Sequence, residues 1–132
     1  EVKMDHTVCS KDELVNIDDN SVLYTDYILD QVIERLKGKN AFLIYVSDHG
    51  ESLGEEGRYT HGAQPMPKEQ TSIPFIFWGS NKFLSQYPSL LEHLKARRNQ
   101  ILNHNYIFHS SLGCMGIESN IINQGLNLCK TK

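Results

Sequence analysis

Two unbroken apolar runs, AFLIYVS at residues 41–47 and IPFIFWG at 73–79, constrain this chain more than any other feature. Each is short, rich in aromatic and β-branched residues and bounded by turn formers, which predicts strands buried on both faces of a mostly parallel sheet. Pro74 stands at the start of the second run, where a missing N–H costs least. Between the runs lie 25 residues, 48–72, that carry Gly50, Gly54, Gly57, Gly62, Pro65 and Pro67. A structureless loop of that length inside a compact domain is unusual and tends to carry function.

Outside the strands the apolar residues recur with a helical period. Ser10 followed three positions later by Glu13 is a capping box, and it opens the series Leu14, Ile17, Val22, Tyr27, Ile28, Leu29, Val32, Ile33 and Leu36. That spacing predicts a long amphipathic helix over about residues 11–37, ended by Gly38, with Asp18, Asp19, Asp26, Asp30, Glu34 and Arg35 mostly toward solvent. Beyond the second strand, SNKFLSQYPSLLEHLKARRNQIL reads as a short helix, a break at Pro88 and another helix through about residue 97. HNYIFHSSLGCMGI reads as a helix capped by Asn105 and running to Gly113 or Gly116, and the tail from Glu118 to Lys132 is weakly patterned. Helices alternating with buried strands predict an α/β fold with a mostly parallel sheet flanked by helices. With two strong strands in view, the sheet is expected to be completed by residues outside this chain.

At 132 residues the chain fits one domain. Thirteen Lys and Arg against sixteen Asp and Glu give a formal charge of −3, so neither strong nucleic-acid binding nor an acidic tail is implied. The one basic cluster, Lys95, Arg97 and Arg98, reads as a solvated helix face. No run approaches the length of a membrane helix, and EVKMDHTVCS lacks the regions of a signal peptide. The first residue is not Met, and the chain is expected to be a fragment of a longer, anchored protein. Cys9, Cys114 and Cys129 form no CxxC and are odd in number, so at least one thiol is free or pairs outside the chain. Cys114, among apolar neighbours, reads as a small core residue. Cys9 lies in a polar lead-in where a disulfide to an upstream residue suits an oxidising compartment.

The chemistry concentrates in SDHGESLGEEGRYTHG. Ligands of open α/β sheets gather beyond the carboxyl ends of the strands, and Asp48 and His49 stand where the run 41–47 stops. A carboxylate oxygen beside an imidazole nitrogen suits zinc or manganese better than calcium or magnesium, and Gly50 lets the backbone turn so that both side chains aim at one centre. The competing reading makes Asp48 a turn former and His49 a hydrogen-bonded surface residue. The glycine-rich continuation and His61 favour the metal. Glu51, Glu55 and Glu56 can serve as bases or as partners of the ligands, with solvation the simpler reading of Glu55 and Glu56. His6, His93, His104 and His109 read as structural or solvent-facing.

These residues carry a resemblance. SDHGESLGEEGRYTHG followed by PKEQTSIPF resembles the C-terminal catalytic region of the bacterial lipid A phosphoethanolamine transferases, members of the alkaline phosphatase and sulfatase superfamily that include the colistin-resistance enzymes. DNSVLYTDYILDQVI looks like the family's helix before the motif, and HNYIFHSSLG resembles its HDNLFHTLLG segment. Residues 1–132 would then form the C-terminal part of an alkaline-phosphatase-like catalytic domain.

The resemblance implies a zinc-dependent phosphotransferase at the periplasmic face of the inner membrane, anchored by upstream helices. Such an enzyme takes phosphoethanolamine from phosphatidylethanolamine through a phosphothreonine intermediate and passes it to lipid A or another surface acceptor. By the same resemblance Asp48 and His49 bind Zn2+, and His61 contacts the phosphoethanolamine group or a second zinc. Cys9 falls where the family has the second cysteine of a disulfide, and Asn105 where it often has Asp. The threonine nucleophile and a glutamate ligand lie upstream in the family, and Thr25, Thr60 and Thr71 do not replace the nucleophile. Related readings are a phosphoglycerol transferase, sulfatase or phosphodiesterase of the same superfamily, a non-catalytic binding relative, or an ordinary α/β domain in which these residues are structural.

Overall fold

A computed structural model of the chain describes residues 9–62 and 64–130. In chain order the elements are α1 (Lys11–Leu36), β1 (Phe42–Val46), β2 (Ser52–Leu53), β3 (Tyr59–Thr60), α2 (Lys68–Thr71), β4 (Phe75–Gly79), α3 (Asn81–Gln86), α4 (Leu90–Arg97) and α5 (Asn105–Cys114). They fall into two compact units, Glu1–Glu34 with Ser47–Pro74, and Arg35–Val46 with Phe75–Lys132.

In the first unit, the capping box forms as the spacing predicts. The Ser10 N–H donates to Glu13 Oε2 at 2.8 Å and the Glu13 N–H donates to Ser10 Oγ at 3.3 Å. The Ser10 backbone N–H, with its hydroxyl adding to it, holds the Glu13 carboxyl below its usual range. The cap is therefore complete at neutral pH and is lost as pH falls through that depressed value. The helix keeps its apolar stripe uncovered, since Ile17, Val22, Leu23, Tyr24, Tyr27, Ile28 and Val32 are exposed and only Leu14 is buried. The described residues of segment 48–72 are not structureless. They hold the small antiparallel hairpin β2–β3, a 3-10 turn at Glu55–Gly57 and the single turn α2.

The second unit builds a core on Phe83, Leu90, Cys114 and Cys129, with Phe42, Phe77, Leu84, Tyr87 and Leu94 packed against it. Strands β1 and β4 pair in the register Phe42↔Gly79 to Val46↔Phe75. That pairing is antiparallel, which corrects the expectation of a parallel neighbour for these two runs. A continuous apolar run reports burial, not the direction of the adjacent strand, and mostly parallel sheets commonly carry an antiparallel pair. Every residue of β1 is half-buried here rather than enclosed on both faces. Ser80 ties strands to helix: its hydroxyl donates to Lys39 O at 2.6 Å and accepts from the Phe83 N–H at 3.1 Å, capping α3.

Helices α3 and α4 flank Pro88 as the spacing predicts. The cap of α5 differs: Asn105 is its first helical residue, and Asn103 Oδ1 accepts the Asn105 N–H at 3.1 Å. The helix stops at Gly116, whose φ of 73° is left-handed, with the Ile117 N–H reaching back to Leu112 O at 3.1 Å.

The tail is more ordered than its pattern suggests. Ile122, Asn127 and Leu128 are buried, and the Ser110 hydroxyl accepts the Leu128 N–H at 3.0 Å while donating to Leu126 O at 3.2 Å. Cys114 is buried as expected, but as half of a disulfide with Cys129, their Cα atoms 5.1 Å apart, whereas Cys9 is free. The bridge closes a 15-residue separation. Replacing both cysteines by serine should lower unfolding free energy by about 3 kcal/mol through loop-closure entropy; an unchanged denaturation midpoint would show that the bridge adds nothing.

Candidate metal centre

The hairpin explains how distant residues meet. Its register pairs Leu53 with Tyr59 and Ser52 with Thr60, so the next pair outward is Glu51 with His61. Its turn is closed by Gly54 at φ 108° and Gly57 at φ 74°, values that side chains disfavour. The Gly54 N–H also donates to Arg58 O at 2.8 Å. At the open end, His61 Nδ1 lies 2.7 Å from Glu51 Oε1. A carboxylate accepts, so Nδ1 is the donor of this bond, an assignment made from its partner.

His49 reaches the same place from the end of the strand segment. The Ser47 hydroxyl donates to His49 O at 2.7 Å and Asp48 Oδ1 accepts the His49 N–H at 3.1 Å, which shapes the turn. His49 Nδ1 lies 3.1 Å from the Gly50 carbonyl, so it is the donor and Nε2 is left as a ligand nitrogen. Nε2 stands 3.7 Å from Asp48 Oδ2. Two zinc ligands at bond lengths of about 2 Å, placed at a tetrahedral angle, lie roughly 3.3 Å apart, so this carboxylate and imidazole need only a small closure to share a metal. The Asp48 side chain is 88 % exposed, which leaves its oxygens open to an ion.

Three of these groups converge further. His49, Glu51 and His61 offer ligand atoms that all lie within 4.8 Å of one another. The two imidazoles are 4.1 Å apart between centroids, and Glu51 Oε1 is 3.7 Å from His49 Nδ1. The donor set of two imidazoles and the Glu51 carboxylate, with the Asp48 carboxylate beside His49, fits a divalent metal of zinc type. Asp18, on α1, lies outside this cluster. Burial raises its pKa most, and the charges of Asp19 and Glu51 raise it further. Its place on the helix gave it a solvent-facing reading, yet its carboxyl is half-buried and feels Glu51.

Of the residues that the sequence singled out, His49, Glu51 and His61 are brought together, while Asp48 stands beside His49, at 3.7 Å, and outside that cluster. His93, His104 and His109 belong to the second unit. The buried His93 Nε2 has no hydrogen-bond partner among the described residues. His6 lies outside the described residues. Sequence reading missed Gln70, whose signal was only its place between two glycine-flanked histidine segments and the second strand.

Residues 3–117 match the Sulfatase family, and the chain belongs to that family. Within it the relatives are transferases. It is 43% identical over 113 residues to the phosphoethanolamine transferase EptA of Helicobacter pylori, an alignment covering 83% of this chain and 20% of that protein. It is 34% identical over 129 residues to the Kdo(2)-lipid A phosphoethanolamine 7''-transferase of Salmonella typhimurium, covering 92% and 23%. The soluble domain of lipooligosaccharide phosphoethanolamine transferase A from Neisseria meningitidis superposes with a TM-score of 0.84 at 35% identity, covering 94% of this chain and 39% of that one. The same enzyme solved as an integral membrane protein gives 0.81 at 36% identity, covering 91% and 24%. The alkaline-phosphatase-like α/β fold is therefore shared, and the chain spans about a fifth of the length of these curated relatives.

Proposed function

We propose that these residues form the C-terminal part of the catalytic domain of a phosphoethanolamine transferase and supply Asp48 and His49 as zinc ligands and His61 as a contact to the transferred group. The observation that carries this reading is the convergence of His49 and His61, 4.1 Å apart, beside Asp48. It occurs in a chain whose relatives are named for that activity. Zinc would supply a Lewis acid that lowers the pKa of a bound hydroxyl and offsets charge on phosphoryl oxygens.

The chain's own groups divide the remaining work. Glu51 holds Nδ1 of His61, which leaves Nε2 for the phosphoryl group; carrying a proton, Nε2 donates to a phosphoryl oxygen and can pass that proton to the leaving oxygen. The nucleophile in this account is a threonine contributed by polypeptide outside these residues. Its oxygen bonds to phosphorus as the bond to diacylglycerol breaks, and the diacylglycerol oxygen takes a proton. An acceptor oxygen on lipid A then displaces the threonine. Phosphatidylethanolamine is the donor, and the enzyme works at the periplasmic face of the inner membrane, held by helices outside this chain. Among the described residues no helix is long and apolar enough to cross a membrane. Capping a lipid A phosphate with an ammonium-bearing group lowers its net negative charge and weakens its attraction for cationic polymyxins.

The uncovered apolar stripe of α1 supports a larger domain, since Tyr24, Tyr27, Ile28 and Val32 would pack against the remaining part of it. The complete protein, incubated with phosphatidylethanolamine and lipid A, should yield diacylglycerol and lipid A heavier by one phosphoethanolamine group. Release of free phosphoethanolamine to water, with lipid A unchanged in mass, would assign a phosphodiesterase instead.

A further inference from the structure

We propose that Gln70 is the positioning residue of this site: its carboxamide and its carbonyl set the approach of the His49 and His61 segments to each other. The inference rests on reading the two histidines as parts of one site. Gln70 is 2 % exposed although it sits on the single helical turn α2. Its amide is fully engaged. Nε2 donates to Ser52 Oγ at 2.9 Å and to Thr60 O at 3.0 Å, and Oε1 accepts the Gly62 N–H at 3.2 Å. Its backbone carbonyl accepts the Gly50 N–H at 3.0 Å.

The orientation of that amide follows from its partners. Turned over, it would set Nε2 against the Gly62 N–H and Oε1 against the Thr60 carbonyl, two unfavourable contacts, so the network admits one arrangement. The partners also fall beside the histidines. Gly50 directly follows His49, and Thr60 and Gly62 bracket His61. Gly50 is required for the close approach, because a Cβ there would meet the Glu69 carbonyl. Thr60 has φ 60°, a left-handed value that a β-branched residue adopts only when its surroundings hold it there. The Gln70 bonds to Thr60 O and to the Gly62 N–H supply that hold on either side of His61.

A residue that only stabilised the hairpin would leave ring geometry and metal affinity alone once the protein is folded. Two variants of the complete protein separate the cases. Gln70→Glu keeps shape and the acceptor for Gly62 but presents a carboxylate to the Thr60 carbonyl. Gln70→Leu removes all three side-chain bonds. Crystal structures should show Thr60 leaving its left-handed conformation and the imidazole centroids moving apart by about 1 Å or more, a displacement of the size that matters in a preorganised site. Zinc affinity, measured with zinc ions alone against a competing chelator, should fall about 10- to 100-fold, as for other residues that orient ligands. Rings that keep their separation, with zinc affinity within about twofold of the parent, would overturn the proposal. If the parent protein itself binds no zinc, the metal reading fails separately, and ring geometry alone decides the role of Gln70. If Gln70→Leu does not fold, Gln70→Glu carries the decision by the same two measurements.

Discussion

Asp48→Ala and His49→Ala should each weaken zinc binding by more than about 100-fold, beyond the 10- to 100-fold loss typical of residues that merely orient ligands. Each substitution removes a bond to the metal. With Asp48 gone, His49 Nε2 loses the carboxylate that lies 3.7 Å away, and with His49 gone that carboxylate loses its imidazole partner. Glu56→Ala is the matched control, since Glu56 is exposed and pairs with Arg58 at 3.2 Å. It should change affinity by less than about twofold, in keeping with the small worth of exposed ion pairs. Isothermal titration of the complete protein gives all three values. Undiminished affinity in Asp48→Ala or His49→Ala would remove that residue from the ligand set.

The second large effect belongs to His61. In the complete protein His61→Asn should lower the rate of transfer by about 100- to 10,000-fold, the range for a positioned proton-transfer group. Zinc affinity should fall less than in Asp48→Ala, by no more than the roughly 10- to 100-fold loss of residues that orient ligands, because Nδ1 of His61 is occupied by Glu51 at 2.7 Å and Nε2 is left for substrate. Glu51→Ala frees the ring to rotate and should reproduce part of that loss; Glu51→Gln, which retains an oxygen acceptor for Nδ1–H, should restore most of the rate. An equal collapse of zinc affinity in His61→Asn would make His61 a metal ligand instead.

Local signals in the sequence carried over well. The Ser10–Glu13 capping box, the break at Pro88 and the two apolar runs each depend on residues close together in the chain, and each appears with bounds within a few residues of its expected place. Asp48 and His49 likewise stand just past the end of β1, where the apolar run stops. What was hidden depends on partners distant in sequence. The antiparallel sense of β1 and β4 is a property of the pair. Cys114 looked apolar because its neighbours are, and its bond to Cys129 joins α5 to a tail whose buried Ile122 and Leu128 show no period.

The site divides along the same line. His61 was visible as a residue type, but its contact with Glu51 requires the register of a hairpin with only two residue pairs, too short for alternation to reveal. The spacing GEEGR between SL and YT is the trace it leaves. Gln70 left less, because a buried amide is recognised by the groups it satisfies and not by its neighbours in sequence. The apolar stripe of α1 was correctly patterned, yet it lies uncovered in a chain that matches 39% of a solved soluble domain.

Diffraction from crystals of the complete protein grown with zinc, collected at the zinc absorption edge, locates the metal directly. The account predicts an anomalous peak about 2 Å from both an Asp48 carboxylate oxygen and His49 Nε2, with His61 Nδ1 still bonded to Glu51. A peak held by His49, Glu51 and His61 with Asp48 turned away, or no peak in this loop, would contradict it.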